Sequence, residues 1–93
     1  MKENYQYPLD LNWTTEEIVK VVDLYQALED AYEKGIDNKE FLEKYQAFKS
    51  VAKSVGEQRR LGREFEELTG YSLYHTLATA KNNSFKKLKM KGE

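Results

Sequence analysis

The run Thr14-Thr15-Glu16-Glu17-Ile18 marks where a first helix must begin, and the residues after it dictate what the rest of the chain has to do. Thr14 is placed to accept from the free amides of a first helical turn while Glu17 reaches back to the amide of Thr14, the reciprocal pairing of a capping box. Trp13 precedes the cap and Ile18 holds the fourth helical position, the spacing of a hydrophobic staple. Gly35 supplies the stop. Between these ends, at about 100° per residue, Ile18, Val21, Val22, Leu24, Tyr25, Leu28, Ala31 and Tyr32 fall within roughly half the helix circumference, wider than the apolar stripe of an ordinary surface helix. Lys20, Asp23, Asp30 and Glu33 take the opposite side. Such a helix needs neighbours on more than one flank.

Before it, Tyr5-Gln6-Tyr7-Pro8-Leu9-Asp10-Leu11-Asn12-Trp13 places an apolar residue at every odd position and a polar residue or proline at every even one. Period two predicts an extended segment with one greasy side. A lone strand has nothing to satisfy its backbone and Pro8 removes one donor, so the segment reads as a strap across the helices rather than part of a sheet. Pairing with a second copy in a dimer is the alternative. The Tyr7-Pro8 bond is expected to be trans.

After Gly35 the same device returns. Asp37 is the cap, Glu40 lies at the third position and Ile36 is spaced to staple onto Phe41. Phe41, Tyr45, Phe48, Ala52 and Val55 line one face of the second helix, with Leu42 and Val51 beside it. The link is so short that the first two helices must form an antiparallel hairpin. Ser54-Val55-Gly56-Glu57 predicts a break near 54 to 56. A third helix follows with Leu61, Phe65 and Leu68 as its core stripe, ending at Thr69-Gly70. Gly62 lies beside that stripe at a cost of about 1 kcal/mol relative to alanine, which a close neighbour would explain. Ser72 caps a shorter fourth helix with Leu73, Tyr74, Leu77, Ala78 and Ala80 on its buried side. Beyond Asn82-Asn83, Ser84 to Lys91 sets a few apolar residues among lysines, and is expected to fray.

Composition narrows the chemistry. Ninety-three residues make one domain with one core. A charged fraction of 33% and a mean hydropathy of -0.83 approach the disordered range, but the regular apolar spacing and 13% aromatic residues argue for a folded domain. The chain has no cysteine, so disulfides, thiolate metal sites and cysteine nucleophiles are excluded, and a single histidine rules out a histidine-rich metal centre. There is no apolar run of membrane-spanning length, and Met1-Lys2-Glu3-Asn4 does not resemble a signal peptide, so a cytoplasmic protein is expected. Charge is uneven. Residues 1 to 34 carry three positive and eight negative groups, net -5, whereas residues 81 to 93 carry five lysines and one glutamate, net +4.

Taken together, Tyr5-Gln6-Tyr7-Pro8-Leu9-Asp10 with Trp13 and Glu16-Glu17, then Ala31-Tyr32-Glu33-Lys34-Gly35-Ile36, then Gly70-Tyr71-Ser72, resemble the YktA-like uncharacterised protein family of short proteins from Bacillus-type bacteria. The similarity runs from about Tyr5 to Ala80. It implies a small all-helical bacterial protein of the cytosol and brings no activity, cofactor or catalytic residue with it.

The residue types that carry chemistry each have a plainer explanation. Arg59, Arg60 and Arg63 sit away from Leu61 and Phe65, as phosphate contacts would, but Glu64, Glu66 and Glu67 follow at pairing distance on the same helix, so a self-neutralised solvated face is expected. Lys81, Lys86, Lys87, Lys89 and Lys91 lack local acids and are the stronger candidates for an anionic partner, but a solubilising tail is the favoured explanation, because no aromatic platform beyond Phe85 and no groove-entering helix accompanies them. His75 maps to an outer face with no carboxylate at ligand spacing. Asp10, Glu16 and Glu17 suit a helix start, where negative charge is favoured, better than a calcium-type site, which needs more oxygen ligands in a fixed loop. The aromatics Tyr5, Tyr7, Trp13, Tyr25 and Tyr32 serve as core by default, and their hydroxyl tips would suit a partner surface if they met at one rim.

The sequence thus predicts an all-α fold: a small antiparallel bundle of three to four helices over residues 1–80, crossed by an extended strap at 5–13, with a basic frayed tail at 81–93. It predicts no catalytic residue, no cofactor-binding residue, no metal site and no small-molecule substrate. The expected role is that of a non-catalytic protein-protein interaction module, binding a protein partner or a second copy, because the first helix carries more apolar surface than one hairpin neighbour covers. Weak nucleic-acid association through the lysine tail is the alternative, and an enzyme ranks third.

Overall fold

A computed structural model describes residues 7–90 of the chain. Its described elements are α1 (Thr15–Glu33), β1 (Ile36–Asp37), α2 (Asn38–Val51), α3 (Val55–Thr69), α4 (Leu73–Asn82) and β2 (Lys87–Leu88). The fold is all-α, a small helical bundle with one two-residue antiparallel ladder between β1 and β2.

Each helix starts where its cap requires. The Thr14 hydroxyl accepts from the Glu17 amide at 3.1 Å and the Glu17 carboxylate accepts from the Thr14 amide at 2.9 Å, so the capping box is complete. Asp37, Ser54 and Ser72 accept in the same manner from the amides of Glu40, Glu57 and His75. Gly35 and Gly70 take the left-handed conformations, φ 92° and 81°, that end α1 and α3.

The wide flank of α1 is filled from within. Val21, Leu24, Tyr25, Ala27, Leu28 and Ala31 are all buried, and α2 packs along them, joined by contacts from α4 and β1. On the remaining side the Tyr25 ring stacks on Phe65 of α3 with centroids 4.7 Å apart and an interplanar angle of 9°, and Tyr7 leans on both rings. Such aromatic pairs add about 0.5–1.5 kcal/mol beyond the area they bury.

The strap is present in part. Tyr5 and Gln6 lie outside the described residues. Tyr7 and Trp13 pack against the core, and the Tyr7-Pro8 bond is trans. The greasy side does not continue between them: Leu9 is exposed and Leu11 is 98% exposed, because the chain turns at Asp10, whose carbonyl and carboxylate accept from the amides of Trp13 and Asn12. Once a turn interrupts the extension, odd positions no longer share a face.

The lysine-rich end departs furthest from expectation. Residues 83–90 do not fray. Leu88 pairs with Ile36 and Lys87 with Asp37 in the ladder, the Asn38 amide donates to the Lys86 carbonyl at 2.6 Å, and the Met90 amide donates to the Ala31 carbonyl at 2.7 Å. Asn83 clamps the return by donating to the Asn38 side chain and the Lys87 carbonyl, both at 3.0 Å. Leu88 and Met90 are buried while Lys87 and Lys89 face outward. The alternation Lys87-Leu88-Lys89-Met90 is that of a half-buried strand, and β1 supplies the backbone edge it needs.

Three core assignments also change. Val55 is 61% exposed because α2 ends at Val51 and Val55 opens a new helix on a different axis. Leu68, in the last turn of α3, is 44% exposed and lies outside the core. On α4 the inward positions are Leu73, Thr76 and Ala80, leaving Tyr74 83% exposed. Thr76 tolerates burial because its hydroxyl donates to the Ser72 carbonyl at 2.7 Å.

Two outcomes follow. Leu88→Ala should destabilise the protein by about 2–5 kcal/mol in denaturant unfolding, as for a fully packed leucine, whereas a loose tail would register almost nothing. The second concerns alkaline pH. Burial, reinforced by nearby Glu64 and partly offset by Arg60, raises the Tyr25 phenol above its ordinary value of 10.0. The unfolded chain therefore loses this proton first, so the contribution is complete below pH 10 and is lost as pH rises above it, by about 1.4 kcal/mol per unit. Tyr25→Phe should cost about 1 kcal/mol near neutrality and should flatten the stability profile above pH 10 relative to the parent.

Candidate interaction groove

Gly62 sits on α3 where α4 begins. A Cβ there would meet Leu73 Cδ2 at 3.3 Å and Leu73 Cβ at 3.4 Å, so the missing side chain is what lets the start of α4 settle onto α3. The penalty noted for a glycine within a helix is offset by that close approach. The seating leaves an open groove of about 450 Å³ lined by Arg59, Gly62, Arg63, Glu66, Leu73 and Tyr74. A smaller hollow of about 170 Å³ shares Arg59, Leu73 and Tyr74 and continues over Tyr45, Val55 and Gln58.

The base of this surface is held firmly. Gln58 donates to the Ala52 carbonyl at 2.8 Å and accepts from the Tyr45 hydroxyl at 3.4 Å, which ties α3 to the end of α2. Lys49 stands 5.4 Å over the Tyr45 ring, and burial raises the Tyr45 phenol. Above this base project Val55 and Tyr74, both exposed apolar groups on helical backbone. Sequence reasoning assigned each of them to the core. Counting both against the buried stripe of its own helix would have shown them off-register, but only once the helix boundaries were known.

The arginines separate. Arg60 pairs with Glu64 at 3.3 Å as the spacing predicts. Arg59 and Arg63 are exposed, and among the described residues neither forms an ion pair, so the anticipated Arg63–Glu67 contact is not made. His75 is exposed beside Tyr74. Lys81, Lys86, Lys87 and Lys89 are exposed as well, and Lys86 borders a hollow of about 320 Å³ with Asp37, Asn38, Lys39, Leu42 and Phe85. Lys91 lies outside the described residues.

Among the described residues the tyrosine hydroxyls do not gather at a rim. Tyr7 donates to Glu29 at 3.0 Å, Tyr25 to the Pro8 carbonyl at 2.8 Å and Tyr71 to Glu33 at 2.9 Å, while Tyr32 accepts from the Ser72 amide at 3.2 Å and stacks on Tyr71. These bonds tie the strap and the α3–α4 turn to α1. Glu29, only 2% exposed, is the buried acid that sequence reasoning overlooked. Its position one turn after Tyr25, inside the apolar arc, was the available signal. Asp10 and Glu17 are occupied in the turn and the capping box. Among the described residues no group of three or more histidines, cysteines, aspartates or glutamates is arranged to hold a metal ion, and no helix is long and apolar enough to cross a membrane.

Comparison with known proteins agrees with the coarser part of the resemblance noted above, an uncharacterised bacterial family. A protein of Enterococcus faecalis described as "UPF0223 protein" is 56% identical over 95% of this chain and 96% of its own length. One from Listeria monocytogenes, described as "UPF0223 protein lmo1058", is 50% identical over 92% of this chain and 96% of its own. One from Streptococcus sanguinis is 48% identical over 88% and 89%. The sequence model of the uncharacterised protein family UPF0223 matches residues 4–89, so the chain belongs to that family.

Proposed function

We propose that this protein is a non-catalytic protein-interaction module of the bacterial cytosol and that the α3–α4 groove is its contact surface. The observation that carries the reading is the pairing of Val55 and Tyr74, 61% and 83% exposed, above a floor of Leu73 and Gly62 on packed helices. Exposed aromatic and aliphatic groups at a rigid concave surface, beside arginines, have the composition of an interface centre. The apolar flank of α1 offers no such surface, because α2, α3, α4 and the strap cover that helix internally. Affinity capture from the native host with the parent and with a Val55→Asp/Tyr74→Asp variant should recover a protein with the parent alone. Sedimentation of both should separate a foreign partner from a second copy. Identical recoveries would refute the assignment of the groove.

A second reading rests on Phe85, which is 76% exposed with Lys86, Lys87 and Lys89 exposed around it on the β2 return. An aromatic face among cations can stack a base and contact phosphates. This reading predicts retention of single-stranded nucleic acid that falls steeply with salt. It further predicts that Phe85→Ala with Lys86→Glu abolishes that retention, and binding indifferent to salt or to these changes would dismiss it.

A further inference from the structure

We infer that the groove between α3 and α4 takes an acidic peptide segment carrying a bulky apolar side chain; this rests on the reading of the groove as a protein-contact surface and adds the chemistry of its partner. The apolar element follows from the floor. Leu73 is buried against Gly62, Val55 and Tyr74 are exposed beside it, and the surface they line is open and concave, so that it admits a side chain of a docking segment.

The acidic element follows from charge. Lys34, Lys44 and Arg60 each have a carboxylate one helical turn away, at 4.0, 3.9 and 3.3 Å. Arg59 and Arg63 form no ion pair among the described residues, even though Glu67 lies one turn after Arg63, and both are exposed and line the groove. Four residues apart on α3, they project from one face with Cβ atoms about 6 Å apart, a spacing that lets each guanidinium hold a separate carboxylate. Glu66 is the acid lining the groove beside them and leaves the two arginines in excess. The first turn of α4, which opens at the same place, carries no acidic residue to oppose them. A chain that is net negative overall thus presents a locally positive apolar notch.

The apolar floor also decides between classes of anion. A phosphate backbone gains nothing from Leu73, whereas a peptide can set an aromatic or branched side chain on the floor and direct its acids to Arg59 and Arg63.

The test is a selection of short random displayed peptides on the immobilised full chain. It is run in parallel on an Arg59→Glu/Arg63→Glu variant and a Tyr74→Ala variant whose circular dichroism and melting match the parent. Acidic peptides with an aromatic or branched residue should enrich on the parent. Their binding should fall by about 10-fold or more on the charge-reversed variant, the scale of losing contacts to a charged pair, and should weaken with salt. Enrichment of neutral or basic peptides that still require Tyr74 would overturn the acidic partner while leaving the groove as an interface. Failure of any peptide to enrich, or acidic peptides that bind all variants equally, would overturn both. Self-association of the parent that is lost in the charge-reversed variant would assign the groove to a second copy instead.

Discussion

Tyr25 carries a phenolic oxygen into the apolar middle of the bundle, where an unpaired hydroxyl costs about 1–3 kcal/mol, and the structure answers by laying the Pro8 carbonyl 2.8 Å away. That one bond places the strap. It brings Tyr7 over the Tyr25 and Phe65 rings and its hydroxyl onto Glu29, whose buried carboxylate needs a donor. The stack of Tyr25 on Phe65 then sets the rotation of α3 about its own axis. With Phe65 and Leu61 turned inward, Arg59 and Arg63 face away from α1 and toward the start of α4. The surface proposed for function is therefore a consequence of how the core is satisfied.

The same logic operates at the opposite end of α1. Tyr32 stacks on Tyr71 and accepts from the amide of Ser72, the residue that caps α4. A helix-capping residue tied to another helix gives α4 a fixed starting point, and Gly62 allows that start to approach α3. Two contacts of different kinds thus hold Leu73 and Tyr74 in place. A groove built on such backbone pays little conformational entropy when it is filled. The β2 return adds a third restraint, since Asn38 donates to the Ala80 carbonyl at the end of α4 and is itself held by Asn83.

Period-two patterning occurs twice in this chain and means different things. From Tyr5 to Trp13 it predicts one continuous greasy side, and the turn at Asp10 breaks it. From Lys87 to Met90 it passes for a lysine tail, and there it marks a strand. The difference is the partner. β1 presents a free backbone edge to Leu88, whereas the strap contains Pro8 and no strand lies beside its described residues. Alternation alone does not say whether an edge is available.

What the amino-acid order determines by itself is everything that closes within a few residues. Thr14, Asp37, Ser54 and Ser72 cap their helices, Gly35 and Gly70 end theirs, and the breadth of the α1 flank is legible, because each depends on hydrogen bonds or facing side chains no more than one turn apart. What only the tertiary structure decides depends on partners far along the chain: Tyr7 with Glu29, Tyr71 with Glu33, Leu88 with Ile36, Gly62 with Leu73. The exposure of Val55 and Tyr74, and with it the groove, belongs to this second group. A residue's distance from its helix's stripe tells which way it points, but only the packing of the helices tells whether anything is there to cover it.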